Sequence, residues 1–185
     1  GSFDIGLIRD SYATGAVRAS SSVSGGLVGA NGGTVETSYA LGAVKGSSNV
    51  GGLVGTNTGT VNASYASGAV TNGGAASAGG LIGNNLTTVT TSYWDVGTTG
   101  RGSACGIGSG TCGATGLLTA DTRTQGSYSD FDFVSDWYMI DGQTRPFLRS
   151  EYSTTIVNAH QLQLMTMDLA ANYTLGNTID ASNTD

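Results

Sequence analysis

Residues 25–44 read GGLVGANGGTVETSYALGAV, and residues 51–70 repeat this stretch as GGLVGTNTGTVNASYASGAV. A third copy begins at residue 79 with GGLIG, and Ser-Tyr pairs recur at residues 11–12, 38–39, 64–65 and 92–93, which makes the period 26 to 28 residues. Each unit divides into about three short strands with Gly and Asn at the corners, since these residues tolerate positive φ. A strand of about five residues cannot bury its apolar face alone, whereas stacking each unit on the next gives both backbone edges a partner. We therefore predict an all-β fold, a parallel β-solenoid (β-helix) of about three to four coils of 26–28 residues, followed by a small β-rich capping segment.

Stacking of this kind places equivalent residues of successive coils roughly 4.8 Å apart and turns each repeated position into a ladder. Side-chain amides stacked at a corner can bond one another along the axis. Alternation within the second strand puts Val35, Thr37 and Tyr39 on one face, which favours tyrosines that point into the core. One propeller blade or hairpin meander per repeat is the alternative, but a blade usually needs about 40 residues or more. The predicted ladders are Leu27, Leu53 and Leu81; Tyr39, Tyr65 and Tyr93; and Asn31, Asn57 and Asn85.

The pattern changes after the third copy, and this change suggests three regions. Residues 71–80 lengthen the third unit and should bulge from one corner, and YWDVGTTG at residues 93–100 replaces the expected Gly-Ala-Val strand. We therefore assign residues 1–97 to the solenoid. Residues 98–150 contain the two cysteines and an aromatic stretch in which FDFV and WYMI suggest strands, with a turn at Asp141-Gly142. We expect this segment to cover the exposed end of the solenoid, and we interpret residues 151–185 as the start of a further module with a short helix and a strand.

Composition and charge exclude some classes of partner. The net charge is −6 and the pI is about 4.4, which argues against nucleic acid because nothing in the chain would follow a phosphate backbone. No apolar run approaches the roughly 20 residues of a membrane span, so membrane insertion is not expected. Cys105 and Cys112 flank a Gly/Ser-rich loop, and a disulfide between them would order that loop and imply an oxidising compartment. Free thiols are the alternative, whereas two cysteines and the distant His160 do not make a four-ligand metal site.

Catalytic groups are sparse in the repeats, where the charged residues of positions 25–97 are Glu36, Lys45 and Asp95. Polysaccharide lyases and hydrolases need clustered carboxylates or basic groups, so we predict no catalytic, cofactor-binding or metal site. Asp130, Asp132 and Asp136 could hold calcium, but alternation favours solvated acids at a strand edge. We assign His160 a surface or capping role.

Ligand contacts are most plausible where the repeat is interrupted, in a groove near Trp94 and the loops at residues 71–80 and 101–113. The candidate ligand contacts are Trp94, Asn84 and Arg101.

The repeat resembles the GLUG motif, which is named for Gly-Leu-any-Gly and occurs here as GLVG at residues 26–29 and 52–55 and as GLIG at residues 80–83. The stretch from SYWDVGTTG to MIDGQTRPFLR is similar to the segment that commonly closes such arrays. NAHQLQLMTMDLAANYTLGNTID is similar to a part of large filamentous-haemagglutinin-like exoproteins. The resemblance covers nearly the whole chain, although the motif does not require the Cys105/Cys112 loop.

That resemblance implies a β-helical passenger of a secreted or cell-surface adhesin, exported by two-partner secretion in a Gram-negative bacterium and active in attachment, aggregation or biofilm. The implied partner is a host-cell or matrix receptor or a glycan, with self-association as a further option. A carbohydrate-binding module of an exoprotein and a polysaccharide-degrading β-helix enzyme are the alternatives.

Overall fold

The computed structural model describes residues 6–20, 23–72 and 77–181, which contain a series of short strands wound into a coil. Five strands make up a full turn, rather than the three expected, because each strand is only two to four residues long. Equivalent strands of successive turns pair in parallel and form five sheets along the axis. Sheet 1 contains β1 (Leu7–Arg9), β6 (Thr34–Glu36), β11 (Thr60–Asn62), β16 (Thr88–Val89) and β19 (Thr111–Cys112). Sheet 2 contains β2 (Tyr12–Ala13), β7 (Tyr39–Ala40), β12 (Tyr65–Ala66), β17 (Tyr93–Asp95) and β20 (Thr115–Leu117).

The other three sheets complete the coil. Sheet 3 contains β3 (Val17–Arg18), β8 (Val44–Gly46) and β13 (Val70–Asn72), and sheet 4 contains β4 (Ser24–Gly25), β9 (Val50–Gly51) and β14 (Ala78–Gly79). Sheet 5 contains β5 (Val28–Asn31), β10 (Val54–Asn57), β15 (Ile82–Asn85) and β18 (Cys105–Ile107). The all-β, parallel β-solenoid predicted from the repeats is confirmed, with about four turns. Residues 73–76, the middle of the stretch predicted to bulge, lie outside the described residues.

The pairing register confirms the ladders. Asn57 pairs with Asn31 and Asn85, and Tyr65 pairs with Tyr39 and Tyr93. In the leucine ladder, the Leu27 N–H donates to the Leu53 carbonyl oxygen at 2.9 Å, and the Leu53 N–H donates to the Leu81 carbonyl oxygen at 2.8 Å. Leu53 and Leu81 are fully buried. The inner core contains Val35, Val61, Val89, Leu53, Leu81, Ile82, Ala40, Ala66 and Trp94.

The first residue of each GGLVG or GGLIG copy must be glycine, because a backbone carbonyl oxygen of the same turn lies where a Cβ atom would be. A Cβ atom on Gly51 would overlap the carbonyl oxygen of Val54, and the equivalent overlap occurs at Gly79 with Ile82. Any other residue would push the chain out of the tight corner between sheets 4 and 5, so glycine recurs there for a steric reason.

The prediction that Val35 and Tyr39 share one face is wrong. Thr37 lies between them with a φ of 44°, and the equivalent residues Ala63 and Thr91 have φ values of 42° and 46°. This left-handed corner separates sheet 1 from sheet 2 and breaks the alternation, so the valines face the inner core and the tyrosines face outward.

A column of serines supports the same corner. The Ser38 hydroxyl donates to the Glu36 carbonyl oxygen at 2.7 Å and accepts from the backbone N–H of Ser11 in the preceding turn at 3.2 Å. Ser64 and Ser92 repeat this arrangement, and each hydroxyl accepts from the N–H one turn earlier. The buried serine of each Ser-Tyr pair therefore satisfies backbone groups that the corner would leave without partners.

The solenoid boundary predicted at residue 97 is also wrong, because β18, β19 and β20 add a further set of parallel strands that ends at Leu117. In this last turn α1 (Val96–Thr99) replaces the strand of sheet 3. The Arg101 guanidinium then donates to the Val70 carbonyl oxygen through Nε at 3.1 Å and Nη2 at 2.9 Å. A side chain thus replaces the missing strand as a hydrogen-bond partner for the end of sheet 3. The predicted Cys105–Cys112 disulfide is confirmed and joins β18 to β19 in this turn.

Residues 118–151, here called the lateral segment, lie along the side of the solenoid and do not cover its end as expected. The tyrosines of sheet 2 present apolar rings and hydroxyl groups on this side, and the lateral segment packs on them. FDFV forms no strand; the antiparallel pair is β21 (Trp137–Tyr138) and β22 (Phe147–Leu148), with Asp141-Gly142 in the connection. The buried residues shared with the tyrosines are Leu117, Tyr128, Phe131, Trp137, Met139 and Leu148.

The last described region contains β23 (Thr155–Ile156), α2 (Ala159–Leu164) and β24 (Thr174–Leu175), with β23 and β24 paired in parallel. The helix and strand expected in residues 151–185 are therefore present. In the part of the chain that the structure describes, no helix has the length and apolar character needed to cross a bilayer.

Candidate functional site: a groove beside the tyrosine ladder

Tyr12, Tyr39, Tyr65 and Tyr93 form the tyrosine ladder, which runs along the outer side of sheet 2. The rings of Tyr12 and Tyr39 stack with centroids 5.3 Å apart, and those of Tyr39 and Tyr65 with centroids 5.0 Å apart. The lateral segment covers Tyr39, Tyr65 and Tyr93, whereas Tyr12 in the first turn remains 38% exposed. The ladder therefore reaches the surface at Tyr12.

Hydroxyl groups of the covered tyrosines join the solenoid to the residues that follow it. Tyr39 donates to Glu151 Oε1 at 2.6 Å, Tyr65 donates to the Pro146 carbonyl oxygen at 2.6 Å, and Tyr93 donates to Asp130 Oδ2 at 3.1 Å. Burial raises the pKa of the Tyr39 hydroxyl well above its usual value, and the nearby Tyr65 hydroxyl and Glu151 carboxylate raise it further. Burial raises the pKa of Tyr65 in the same way, so both groups remain proton donors.

Glu151 and His160 form a buried polar cluster with Tyr39. The Nδ1 atom of His160 lies 2.8 Å from Glu151 Oε2 and 3.0 Å from the Tyr39 hydroxyl, and Glu151 Oε1 also accepts from the Leu148 N–H at 3.0 Å. Since the Tyr39 proton goes to Oε1, Nδ1–H is the donor to Oε2, and Nε2 is the ring nitrogen that makes no hydrogen bond among the described residues. The exposed fraction is 3% for the Glu151 side chain and 18% for that of His160. Glu151 therefore orients the ring of His160.

Arg145 and Asp95 form a second polar cluster, one that links the lateral segment to the last turn. Arg145 Nη2 donates to Asp95 Oδ2 at 2.8 Å, while Asp95 Oδ1 accepts from the Thr98 N–H at 3.0 Å and the Thr119 hydroxyl at 2.8 Å. Burial alone would raise the pKa of Asp95, but the bonds from Thr98, Arg145 and Thr119 outweigh it and lower the pKa below its usual value. Asp95 is 1% exposed, so this ion pair is held inside the protein.

A groove of about 430 Å³ lies between these two clusters, bounded by the tyrosine ladder, the lateral segment and α2. Three aromatic rings of its lining are neighbours: the centroid of the His160 ring lies 5.5 Å from that of Tyr12 and 5.1 Å from that of Phe147. Its polar lining includes Arg145 and Gln163. The volume falls within the range of about 300–1,000 Å³ that is usual for small-molecule sites.

The residues predicted as ligand contacts lie elsewhere. Trp94 is 7% exposed, contacts Gly80 in the solenoid core and donates its indole N–H to the Arg101 carbonyl oxygen at 2.9 Å, so its ring has no free face for a ligand. Arg101 is engaged with sheet 3 as described above. Asn84 is half-buried on β15, where it pairs with Thr56 and Ile107. A ligand contact at Asn84 stays a prediction.

The three acidic residues considered as calcium ligands each have a different partner and do not form a common site. Asp130 accepts from Tyr93, and Asp132 accepts from the backbone N–H groups of Val134 and Ser135. Asp136 lies 3.6 Å from an Nη atom of Arg9. Within residues 6–20, 23–72 and 77–181, no three His, Cys, Asp or Glu side chains group as metal ligands do.

Sequence reasoning missed Arg145, Glu151 and the orientation of His160. The concentration of acids and arginines after residue 98 was visible, but no repeat or motif connects those residues to sheet 2. Their partners are separated from them by 50 residues for Arg145 and Asp95 and by 112 residues for Glu151 and Tyr39.

Comparisons of the chain with protein-family models, curated proteins and solved structures found no match in any of the three.

Proposed function

We propose that the chain is a non-catalytic β-solenoid segment of a secreted bacterial surface adhesin, serving as a stalk and/or as an adhesive surface. The observation that supports this most is the in-register stacking of five parallel sheets. Each turn bonds to the next through backbone hydrogen bonds that run along the axis, which makes a stack of turns that further repeats would extend into a rod. Such a rod holds whatever it carries at a fixed distance from the cell.

The outer row of sheet 1 supports an adhesive role in particular. Thr34, Thr60, Thr88 and Thr111 occupy equivalent positions, and the last three are exposed. Hydroxyl groups repeated at the strand spacing of about 4.8 Å form a polar row, which suits contact with a receptor or with another copy of the chain.

The pairing of the charged groups supports a non-catalytic role. Arg145 and Asp95 bond each other, and Glu151 bonds Tyr39 and His160, so these groups stabilise the packing of the lateral segment and α2. A polysaccharide-degrading enzyme would need an acid and a base or nucleophile open to substrate. Incubation with plant and bacterial polysaccharides should release no reducing ends or unsaturated products. Their release would contradict the non-catalytic proposal.

Cell-surface labelling and bead attachment test the adhesin proposal directly. An antibody against the folded chain should label intact bacteria that produce it, and beads coated with the oxidised chain should bind host cells, matrix proteins or other bacteria. A Leu53→Asp variant is the control, because an acid in the fully buried leucine ladder disrupts the solenoid and should abolish attachment. Labelling only after permeabilisation, or equal attachment by the Leu53→Asp beads, would overturn the proposal.

A further inference from the structure

The groove beside the tyrosine ladder has an aromatic wall at the surface of the protein. Tyr12, His160 and Phe147 are neighbours in this wall, and Tyr12 is its most exposed ring at 38%. Ring faces carry partial negative charge and attract the weakly positive C–H groups of a ligand. A flat ligand that presents C–H groups on one side can therefore pack against this wall.

Two polar groups of the groove, Nε2 of His160 and the side-chain amide of Gln163, have no hydrogen-bond partner among the described residues. Glu151 Oε2 lies 2.8 Å from Nδ1 of His160 and so fixes the ring, and among the described residues no hydrogen bond reaches Nε2. The Gln163 side-chain amide also lines the groove and is likewise without a partner in the described part of the chain. Together they offer hydrogen-bond partners to the hydroxyl groups of a ligand.

The charge in the groove favours a neutral ligand. The Arg145 guanidinium is bonded to Asp95 at 2.8 Å, so its positive charge is compensated. The Glu151 carboxylate bonds the His160 ring at 2.8 Å, which places a carboxylate near any bound molecule. A ligand carboxylate would be repelled by this group, and a hydroxylated uncharged ligand would not.

We propose that this groove binds a neutral saccharide unit, with a C–H face of the sugar against Tyr12 and its hydroxyl groups bonded to His160 Nε2 and Gln163. This site goes beyond the adhesin proposal and does not depend on it, since the isolated chain should bind the sugar whether or not it is displayed on a cell. It also differs from the predicted groove near Trp94.

Ligand-observed and protein-observed NMR titration of the oxidised chain tests the site. The probes are the methyl glycosides of glucose, galactose, mannose and N-acetylglucosamine, with glucuronic acid and N-acetylneuraminic acid as anionic comparators. At least one neutral glycoside should bind with a Kd of about 1 mM or tighter and shift the amide signals of residues 158–163. The anionic comparators should bind at least tenfold more weakly.

Two variants locate the binding. Thr14 is exposed and lines the groove, so Thr14→Trp should block it and weaken binding at least tenfold, and Gln163→Ala should weaken it severalfold. Thr90→Trp is the matched control, because Thr90 is an exposed threonine in the connection between β16 and β17, does not line the groove, and should leave binding unchanged. Circular dichroism checks that each variant is folded. Lack of binding by all four neutral glycosides, equal binding of the anionic sugars, or unchanged binding by folded Thr14→Trp would overturn the proposal.

Discussion

Replacement of Asn57 by alanine tests whether the asparagine ladder stabilises the solenoid. Asn57 is fully buried at the centre of that ladder. Its Oδ1 accepts from Asn31 Nδ2 at 2.8 Å, and its Nδ2 donates to Asn85 Oδ1 at 2.9 Å and to the Thr87 hydroxyl at 3.2 Å. Asn57→Ala removes all three bonds, each with a net value of about 1 kcal/mol, and leaves the buried Asn85 oxygen without its donor. The free energy of unfolding should therefore fall by about 3 kcal/mol.

Urea denaturation of the oxidised chain, followed by circular dichroism, measures this loss. Asn62→Ala is the matched control in the same turn, because Asn62 is half-buried and its side chain makes no hydrogen bond among the described residues; its cost should stay within about 0.5 kcal/mol. A double-mutant cycle with Asn85→Ala should give a coupling energy of about 1 kcal/mol for the shared bond. Equal costs for Asn57→Ala and Asn62→Ala would refute the view that the amide column stabilises the stack.

Three further predictions concern the connections around the ladder. Tyr39→Phe removes the hydroxyl that donates to the buried Glu151 carboxylate, so it should lower the free energy of unfolding by about 2 kcal/mol and speed amide exchange in α2. Tyr138→Phe removes an exposed hydroxyl and should change neither quantity. Equal exchange in both variants would contradict this prediction. Reduction of the disulfide, whose cysteines are seven residues apart, should lower stability by roughly 2.5 kcal/mol on the chain-entropy relation, and a urea midpoint that does not move would refute that value. The pKa of Asp95 is lowered by folding, so its stabilisation is present above about pH 4 and is lost as the pH falls through the folded pKa. Stability of Asp95→Asn should therefore decline less than that of the unmodified chain in this acid range, and parallel declines would contradict the assignment.

The candidate site was harder to predict than the fold, for a reason visible at Trp94 and Tyr39. Trp94 interrupts the repeat, and this suggested a ligand contact, but the ring fills core space that alanine occupies in the other turns. Tyr39 was expected in the core because alternation was counted from Val35, and the positive φ of Thr37 reversed its direction. A threonine in the left-handed region is uncommon, so no local sequence pattern predicts the positive φ of this residue.

The repeat pattern was enough to predict the parallel stack and its ladders, and the spacing of the cysteines favoured the disulfide. Near-identical copies place like residues in register, so one copy of the repeat predicts the neighbours of the next. The direction of the tyrosines, the packing of the lateral segment on them and the position of the groove became known from the folded chain. These features depend on contacts such as that between Tyr39 and Glu151, 112 residues apart, and the path of a non-repeating segment between them is set by packing over its whole length.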